Sequence, residues 1–502
     1  MTEGRQGPGA AGTAERRRLP LALASPAVVP AVLAALAAVG LAAASVYRHD
    51  HFGSNAYDLG ISDQTVWGYS RLEATMDNTV LGTPNLLLDH FEPILATLAP
   101  LYWIWDDVRM LLVAQAFLVA LASVPLFLWA RRKLGFGEAA LFQIAYLVFW
   151  GVLAGNIYDF HELALAAPIV SLALYAALTR RTKLLWAAAL LALLTKENLA
   201  LTVVAIGVYV ALVQRRWRLG LALAGVGTAV FAALLKLAIP AITGRAYAHW
   251  LYPALGSGPG SALVHVVAHP LDTVELFFTP REKVAALLNL CAPWLFLPLV
   301  SPLVIVMIPT LAERFLASKS EYWSQGFHYN LVIAPVLAFA AVDTTARLAR
   351  RVRGRAHALI APALAVGVVV AGLYFSFGRL RPLDELGRYT SAAHAAEIRA
   401  CLETIPADAS VAATSALVPH LAHRAEIYLL ERKPRPTTEY LAVDTYTWIY
   451  PLRLSDVRRL LVGALDEGYG VVCTRGGTAV LRRGAESRSL SPELRRQLAT
   501  PG

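Results

Sequence analysis

Two acidic residues, Asp58 and Asp63, lie in a short polar stretch, residues 57–64, directly after the first long apolar segment. A positioned carboxylate can remove a proton from an attacking hydroxyl, and partial burial raises its pKa towards neutrality. Asp58 is therefore a candidate catalytic base, although it equally suits the N-cap of a helix. Asp63 favours the cap, and together with Gln64 it is a candidate substrate contact.

Histidines and carboxylates recur together at two later places. His90 and Glu92 form one pair, and Asp159, His161 and Glu162 form a second cluster. Imidazole and carboxylate groups can bind a divalent ion such as Mg²⁺ or Mn²⁺, so the second cluster is a candidate metal site, and the first a candidate substrate contact. Neither cluster has a specific metal-binding spacing. The alternative is that these histidines are hydrogen-bonded at a membrane interface.

Lys196 and Glu197 interrupt an apolar stretch, residues 184–213. One helix through the stretch would place both charges near the bilayer centre, which is costly. Two short helices that meet at a re-entrant tip avoid this cost, and the tip would present the Lys196 ammonium to a phosphate. The alternative is an ion pair of Lys196 with an acid. Four further residues are candidates for contact with a charged head group: Arg245, Arg314, His328 and Tyr329.

The composition excludes an ordinary soluble protein. Of the 502 residues 57% are hydrophobic and only 16% are charged, whereas soluble domains carry about a quarter charged residues. The net charge of +10 would indicate nucleic acid binding in a soluble protein. Here the basic residues cluster in short loops between apolar runs, so we expect no nucleic acid partner and interpret the clusters as an orientation signal.

The apolar runs predict an α-helical polytopic membrane protein with about eleven spans, some of them short or re-entrant. Residues 20–378 form this membrane part, with large outer loops at 47–106 and 241–282. Residues 1–19 are predicted to be a disordered cytoplasmic N-terminus. From about 380 the charge rises, and β-type segments alternate with helical patterns. We predict a small α/β domain with a mainly parallel sheet at 379–485, followed by a tail at 486–502.

The positive charges agree with one orientation. If the N-terminus is inside, five basic clusters fall on the cytoplasmic side, as the positive-inside rule requires: Arg16 to Arg18, Arg131 to Lys133, Arg180 to Lys183, Arg215 to Arg218 and Arg347 to Arg355. The polar candidate residues and the C-terminal domain then lie outside the cytoplasmic membrane. Cys401 and Cys473 would share an oxidising compartment, yet nothing in their spacing places them together.

Acids and cations above an apolar groove suit a substrate with a lipid tail and a charged head. A sugar carried on a polyprenyl phosphate fits this description: the groove holds the isoprenoid, cations hold the phosphate, and a carboxylate activates the acceptor. The acceptor would be an extracytoplasmic glycan, lipid or protein. The alternatives are a transporter or flippase, and a non-enzymatic sensor. Transporters keep their ionisable residues near the midplane and often show inverted repeats, and no repeat is visible here.

Five short motifs resemble an uncharacterised bacterial and archaeal membrane family that is related to the GT-C superfamily of integral membrane glycosyltransferases. They are Tyr-Asp-Leu-Gly-Ile-x-Asp-Gln at 57–64, His-Phe-x-Pro-Ile-Leu at 90–95, Asp-Phe-His-Glu at 159–162, Thr-Lys-Glu at 195–197 and Phe-His-Tyr at 327–329. The resemblance covers about residues 20–480. It implies that Asp58 is catalytic, that the donor is a lipid-phosphate sugar, and that Asp159 with Glu162 helps to bind a metal. The chain departs from the pattern in having no Asp-x-Asp pair at either place.

Overall fold

The computed structural model of the protein describes residues 28–73, 77–80, 82, 90–243, 249–352, 355–432 and 437–499. The predicted disordered N-terminus and Arg245 lie outside the described residues, as does the end of the predicted tail. The first part of the described chain is helical, with these bounds: α1 Val28–Asp50, α2 Ile61–Ser70, α3 Ala99–Tyr102, α4 Arg109–Leu121, α5 Ser123–Lys133, α6 Phe136–Leu147, α7 Trp150–Ile157, α8 Leu163–Leu178, α9 Thr182–Leu193, α10 Leu199–Leu212, α11 Trp217–Ala233, α12 Ile239–Thr243, α13 Pro259–Ala268, α14 Pro270–Phe278, α15 Arg281–Cys291, α16 Val304–Phe315, α17 Ser320–Trp323, α18 Asn330–Arg351 and α19 Arg355–Leu373.

Each predicted span contains a helix, but few of these helices have full length. Five helical segments of the described chain are long and apolar enough to cross a membrane, and the pair α6 and α7, bent by 42°, makes up to six. Helices α8, α9 and α10 are apolar but shorter. The predicted break in residues 184–213 is present, because α9 ends at Leu193 and α10 begins at Leu199. The polytopic helical class is thus confirmed, while about half of the eleven predicted spans are short.

Helices α10 and α11 pack backbone against backbone. A Cβ added to Gly220 would lie 2.5 Å from the Ala211 nitrogen and 2.6 Å from the Gly207 carbonyl oxygen. Such contacts are closer than van der Waals distance allows, so only glycine fits at this crossing. Small residues at close crossings are a general feature of helix packing in membranes. The contact holds α10, whose first turn follows Lys196 and Glu197, against the rest of the bundle.

The C-terminal part is a small α/β domain with a five-stranded mixed sheet. The strands are β1 Val411–Ala413, β2 Ile427–Leu429, β3 Tyr440–Asp444, β4 Tyr469–Arg475 and β5 Thr478–Arg483. Their order is β2-β1-β3-β5-β4, with β1 parallel to β2 and β3. Strand β5 is antiparallel to both β3 and β4. The prediction of a mainly parallel sheet is therefore wrong. Strands β4 and β5 form an antiparallel hairpin across the turn at Gly476, whose φ is +50°.

Three helices complete this domain: α20 Ala392–Leu402, α21 Leu454–Asp466 and α22 Pro492–Ala499. Helix α22 lies in the segment that was predicted to be a tail. Its Leu494 and Leu498 are buried in the same apolar cluster as Leu461 of α21 and Leu481 of β5. The domain therefore extends through α22. A disulfide between Cys401 and Cys473 joins α20 to β4, with a Cα–Cα distance of 5.4 Å.

A buried ion pair joins the end of α1 to the loop before α8. Arg48 forms a salt bridge with Asp159, and its guanidinium also donates to the Tyr158 carbonyl oxygen at 2.6 Å and to the Tyr389 hydroxyl at 3.1 Å. The second Asp159 oxygen accepts from the backbone and side-chain nitrogens of Asn55, at 2.9 and 2.6 Å. Both charges are almost fully buried, so loss of either partner would leave an uncompensated buried charge and destabilise the fold.

Asn55 begins the segment that carries Asp58. Its side-chain oxygen accepts from the backbone N–H of Tyr57 at 2.9 Å and so caps a single π-helical turn, Ala56–Gly60, that continues into α2. The C-terminal domain covers the other side of this turn. The Ala56 N–H donates to the Ser415 hydroxyl at 3.2 Å, and a Cβ on Gly60 would lie 2.9 Å from Val418. The position of Asp58 is therefore set from three separate parts of the chain.

The α10–α11 crossing generates a first prediction. Gly220→Ala should lower the free energy of unfolding by about 1–3 kcal/mol, because the added methyl group overpacks a backbone contact. The measurement is the thermal unfolding midpoint of the purified protein in detergent. Gly225→Ala is the matched control on the same helix: a Cβ there meets nothing within 4 Å, so stability should stay equal or rise slightly. Equal midpoints for both variants would contradict the close crossing.

The buried ion pair between Arg48 and Asp159 generates a second prediction. Asp159→Asn should cost about 3–5 kcal/mol of stability, because it leaves the Arg48 guanidinium buried without a counter-charge. Glu385→Gln is the control, since it removes one partner of the exposed pair with Arg388 and should change stability by less than about 1 kcal/mol. The measurement is the free energy of unfolding of both variants, from chemical or thermal unfolding in the same detergent. An Asp159→Asn protein as stable as the control would remove Asp159 from its structural role.

Candidate active site

A cavity of about 610 Å³ opens where the first outer loop meets the ends of several helices of the membrane part. Its volume lies within the range of small-molecule sites. Its wall combines charged and polar side chains with apolar ones. The polar lining includes Asp58, His90, Glu92, His161, Glu162, Lys196, Glu197, Glu313, Arg314, His328 and Tyr329. The apolar lining includes Leu201, Phe231, Leu235, Leu255, Leu263, Val266 and Leu316.

Asp58 lines this cavity. One of its oxygens, Oδ2, accepts a hydrogen bond from the Tyr158 hydroxyl at 3.1 Å. Burial, with the charge of Asp159 nearby, outweighs this hydrogen bond and raises the pKa of Asp58 to about 7. A carboxyl group with such a pKa can hold or release a proton near neutral pH. The structure thus places the candidate base in the cavity, and Asn55 rather than Asp58 is the cap.

Lys196 is neutralised by two acids. Its ammonium lies 2.7 Å from Glu162 Oε1 and 3.3 Å from Glu92 Oε1. The other Glu162 oxygen lies 2.7 Å from His161 Nδ1. Burial disfavours the charged forms, but the partners outweigh it: the pKa of Glu162 falls well below its usual value and that of Lys196 rises well above. The ion pair that the sequence left open is therefore the arrangement found.

A second contact in the cavity wall joins His90 to Glu197. His90 Nδ1 is 2.7 Å from Glu197 Oε1, and the Phe91 N–H donates to Glu197 Oε2 at 3.1 Å. The tip between α9 and α10 is thereby tied to the first loop. Glu313 closes the wall beyond it and accepts from the Asn198 side chain at 2.6 Å.

Arg314 differs from Lys196 in its partners. The guanidinium is almost fully buried, with 2% exposure. It donates to the Tyr322 carbonyl oxygen at 2.9 Å and to the Asn330 amide oxygen at 2.8 Å, which are both neutral. Within the described part of the chain, no carboxylate forms a salt bridge with it. Arg314 is therefore a buried cation at the cavity wall whose charge is free to meet an anion.

His161 and His328 stack face to face, with ring centroids 3.4 Å apart. Together with Asp58 they offer three ligand atoms that all lie within 4.8 Å of one another. The predicted metal cluster is thus only partly assembled. Asp159 does not line the cavity and is held by Arg48, and Glu162 is held by Lys196. Tyr329 lines the cavity beside His328 and stacks on Tyr322 at 4.6 Å.

Asp63 and Gln64 do not line the cavity. Asp63 accepts hydrogen bonds from the Tyr102 hydroxyl and, at 3.0 Å, from His423. Gln64 donates to the Thr79 hydroxyl at 2.8 Å and to the Arg424 carbonyl oxygen at 3.2 Å. Both residues therefore attach α2 to the C-terminal domain, which is a structural role that the sequence did not indicate.

Two residues of the cavity wall, Asn198 and Glu313, were missed from the sequence, as was Tyr158, which donates to Asp58. Tyr158 precedes the Asp159 cluster and Asn198 follows Glu197, so their neighbours were a usable signal. Glu313 is the only acid of the apolar helix α16, which is itself unusual for a membrane segment. Arg245, a predicted head-group contact, lies outside the described residues.

Two solved structures have a similar fold. Both are ArnT from Cupriavidus metallidurans. The one bound to undecaprenyl phosphate has a TM-score of 0.56 and 16% identity, covering 92% of this chain and 99% of its own. The apo one has a TM-score of 0.53 and 14% identity, covering 91% and 98%. At this identity the likeness establishes that the chain shares the fold of ArnT.

No curated protein resembles the chain closely enough in sequence to count as a relative. A family model does match, over residues 48–470, and therefore over most of the chain. The matched region includes every described residue of the cavity wall and the greater part of the C-terminal domain. The chain therefore belongs to the family described as predicted membrane protein DUF2079.

Proposed function

We propose that the protein is a membrane glycosyltransferase that transfers a sugar from a polyprenyl-phosphate donor to an extracytoplasmic acceptor. One observation carries the proposal: a single cavity is lined by a carboxylate, by a buried guanidinium whose hydrogen-bond partners are neutral, and by many apolar side chains. A donor with an isoprenoid tail, a phosphate and a sugar has this same succession of apolar, anionic and polar parts. Ligand sites of this kind are mostly apolar with a few convergent polar groups.

Arg314 is assigned the phosphate contact. Sequence reasoning favoured Lys196, but two carboxylates already satisfy that ammonium, and an anion would have to compete with them. The Arg314 guanidinium has only neutral partners, and arginine matches phosphate geometry through paired N–H donors. When the sugar leaves, negative charge grows on the phosphate, and a preorganised cation at this place stabilises the leaving group.

Asp58 is assigned the activation of the acceptor hydroxyl. Its carboxyl group lies in the cavity, with a pKa near neutrality, and it is held by the Tyr158 hydroxyl. As the acceptor hydroxyl attacks the anomeric carbon, its proton passes to the Asp58 carboxylate, while the bond from that carbon to the phosphate oxygen breaks. The displacement is direct and therefore inverts the anomeric configuration. The fold of ArnT, one of whose structures contains undecaprenyl phosphate, supports a polyprenyl-phosphate donor.

The site would face the outside of the cytoplasmic membrane. The C-terminal domain covers the Asp58 segment and contains the disulfide between Cys401 and Cys473, and disulfides persist in oxidising compartments. The basic clusters of the sequence place the N-terminus inside by the positive-inside rule. The acceptor is then an extracytoplasmic glycan, lipid or protein.

Asp58→Asn should reduce transfer at least about 100-fold, because general-base catalysis contributes about 10²–10⁴-fold. The assay follows release of polyprenyl phosphate from a panel of radiolabelled polyprenyl-phosphate sugars in reconstituted vesicles. The variant should elute as a folded protein in detergent. Asp50→Asn is the control, because it changes an acid outside the cavity that pairs with Arg109.

A fully active Asp58→Asn protein would refute its assignment as the base. If instead the vesicles take up substrate in response to an ion gradient and release no polyprenyl phosphate, the transporter alternative holds.

Arg314→Gln should weaken binding of undecaprenyl phosphate about 10- to 100-fold, since each hydrogen bond to a charged group contributes about 1.5–3 kcal/mol. The measurement is the shift of the unfolding midpoint with added lipid, converted to an apparent Kd. Arg314→Lys should retain part of the affinity because it keeps the charge. Arg281→Gln is the control, since that side chain is 95% exposed and does not line the cavity. Unchanged affinity in Arg314→Gln would assign the phosphate to another group.

A further inference from the structure

His328 is a buried imidazole without a hydrogen-bond partner. It is 3% exposed, and within the described part of the chain neither ring nitrogen has a partner. Buried polar groups are almost always hydrogen-bonded, and each exception needs an explanation. The His161 ring stacks on it without satisfying its nitrogens, and the Tyr329 ring lies 4.3 Å away. The edge of His328 is therefore available to a ligand in the cavity.

His161 lies between Glu162 and the His328 ring. Its Nδ1 lies 2.7 Å from Glu162 Oε2, and it accepts a hydrogen bond from the backbone N–H of Leu163 at 3.4 Å. A carboxylate beside a metal-bound histidine commonly fixes its ring. Glu162 is held in turn by Lys196. On Asp58, Tyr158 occupies Oδ2, and Oδ1 remains available.

The cavity wall carries more acids than fixed positive charges. Among its described residues five acids stand against two fixed positive charges: Asp58, Glu92, Glu162, Glu197 and Glu313 against Lys196 and Arg314. Glu92 and Glu162 share Lys196. The remaining acids face one guanidinium, and an anionic phosphate would add to the excess of negative charge. A divalent ion on the Asp58 side would offset it.

We propose that Asp58, His161 and His328 bind one divalent transition-metal ion, with the remaining coordination positions open to the cavity. Two imidazoles and a carboxylate suit zinc, and manganese next, whereas magnesium prefers oxygen ligands alone. This set replaces Asp159, His161 and Glu162 and disfavours the magnesium that the sequence suggested. Only the ion's role beside a phosphate rests on the proposed function; its binding does not.

The test measures metal content without reference to activity. The full chain, purified in detergent through an affinity tag that binds no metal, should contain about one equivalent of zinc or manganese by mass spectrometry of the elements. A chelator should lower its unfolding midpoint, and zinc or manganese, but not magnesium, should restore it. His328→Gln should reduce the metal content at least about tenfold, and His161→Gln should do the same if the first variant does not fold.

A double control removes another pair of histidines. His265→Gln with His269→Gln eliminates an exposed pair whose ring centroids are 5.0 Å apart and which could hold a metal adventitiously. This protein should keep its equivalent of metal. The proposal is overturned if purified protein holds no metal and none of the three ions stabilises it, or if His328→Gln leaves the metal content unchanged. Undecaprenyl phosphate binding, measured on the same samples, reports on the proposed function separately, so the two can fail independently.

Discussion

The compensation of buried charge is the constraint on which the rest of the structure depends. The Arg48–Asp159 pair shows it most directly, since a buried ion that loses its opposite charge destabilises the fold strongly. This pair joins the end of α1, the loop before α8, the cap at Asn55 and, through Tyr389, the segment that leads to the C-terminal domain. Because these four parts of the chain meet at the Arg48 guanidinium, they fix the position of the turn that carries Asp58.

The same constraint separates the two cations of the cavity into different roles. Lys196 lies at the tip between two short helices and is surrounded by acids from two other loops. It serves to hold those acids together. Arg314 lies on α16 and donates to carbonyl and amide oxygens, so no carboxylate of the described residues forms a salt bridge with it. The sequence offered both residues as contacts for a charged head group; their partners distinguish them.

The C-terminal domain is part of the site's framework as well as a cover. Ser415 and Val418 contact the turn before α2, and His423 bonds to Asp63 within α2. Gln64 reaches the backbone of the same domain. Asp63 and Gln64 are thus used for assembly, which explains why a motif with two acids and one amide presents only Asp58 of these three to the cavity.

Much of the architecture could be predicted from local patterns. Hydrophobic length and the placement of charges determine where helices form, and the cost of Lys196 in a bilayer was enough to predict the break between α9 and α10. Asp58, His161, Lys196 and Arg314 were recognised because ionisable groups between apolar runs are rare. Their partners were not readable, since a contact between residues 48 and 159, or 161 and 328, depends on how the helices pack. Only the tertiary structure decided that Asp159 is an internal counter-ion, that Asp63 belongs to an interdomain contact, and that His328 lies unpartnered beside Asp58, because side-chain roles follow from burial and neighbours rather than from residue type.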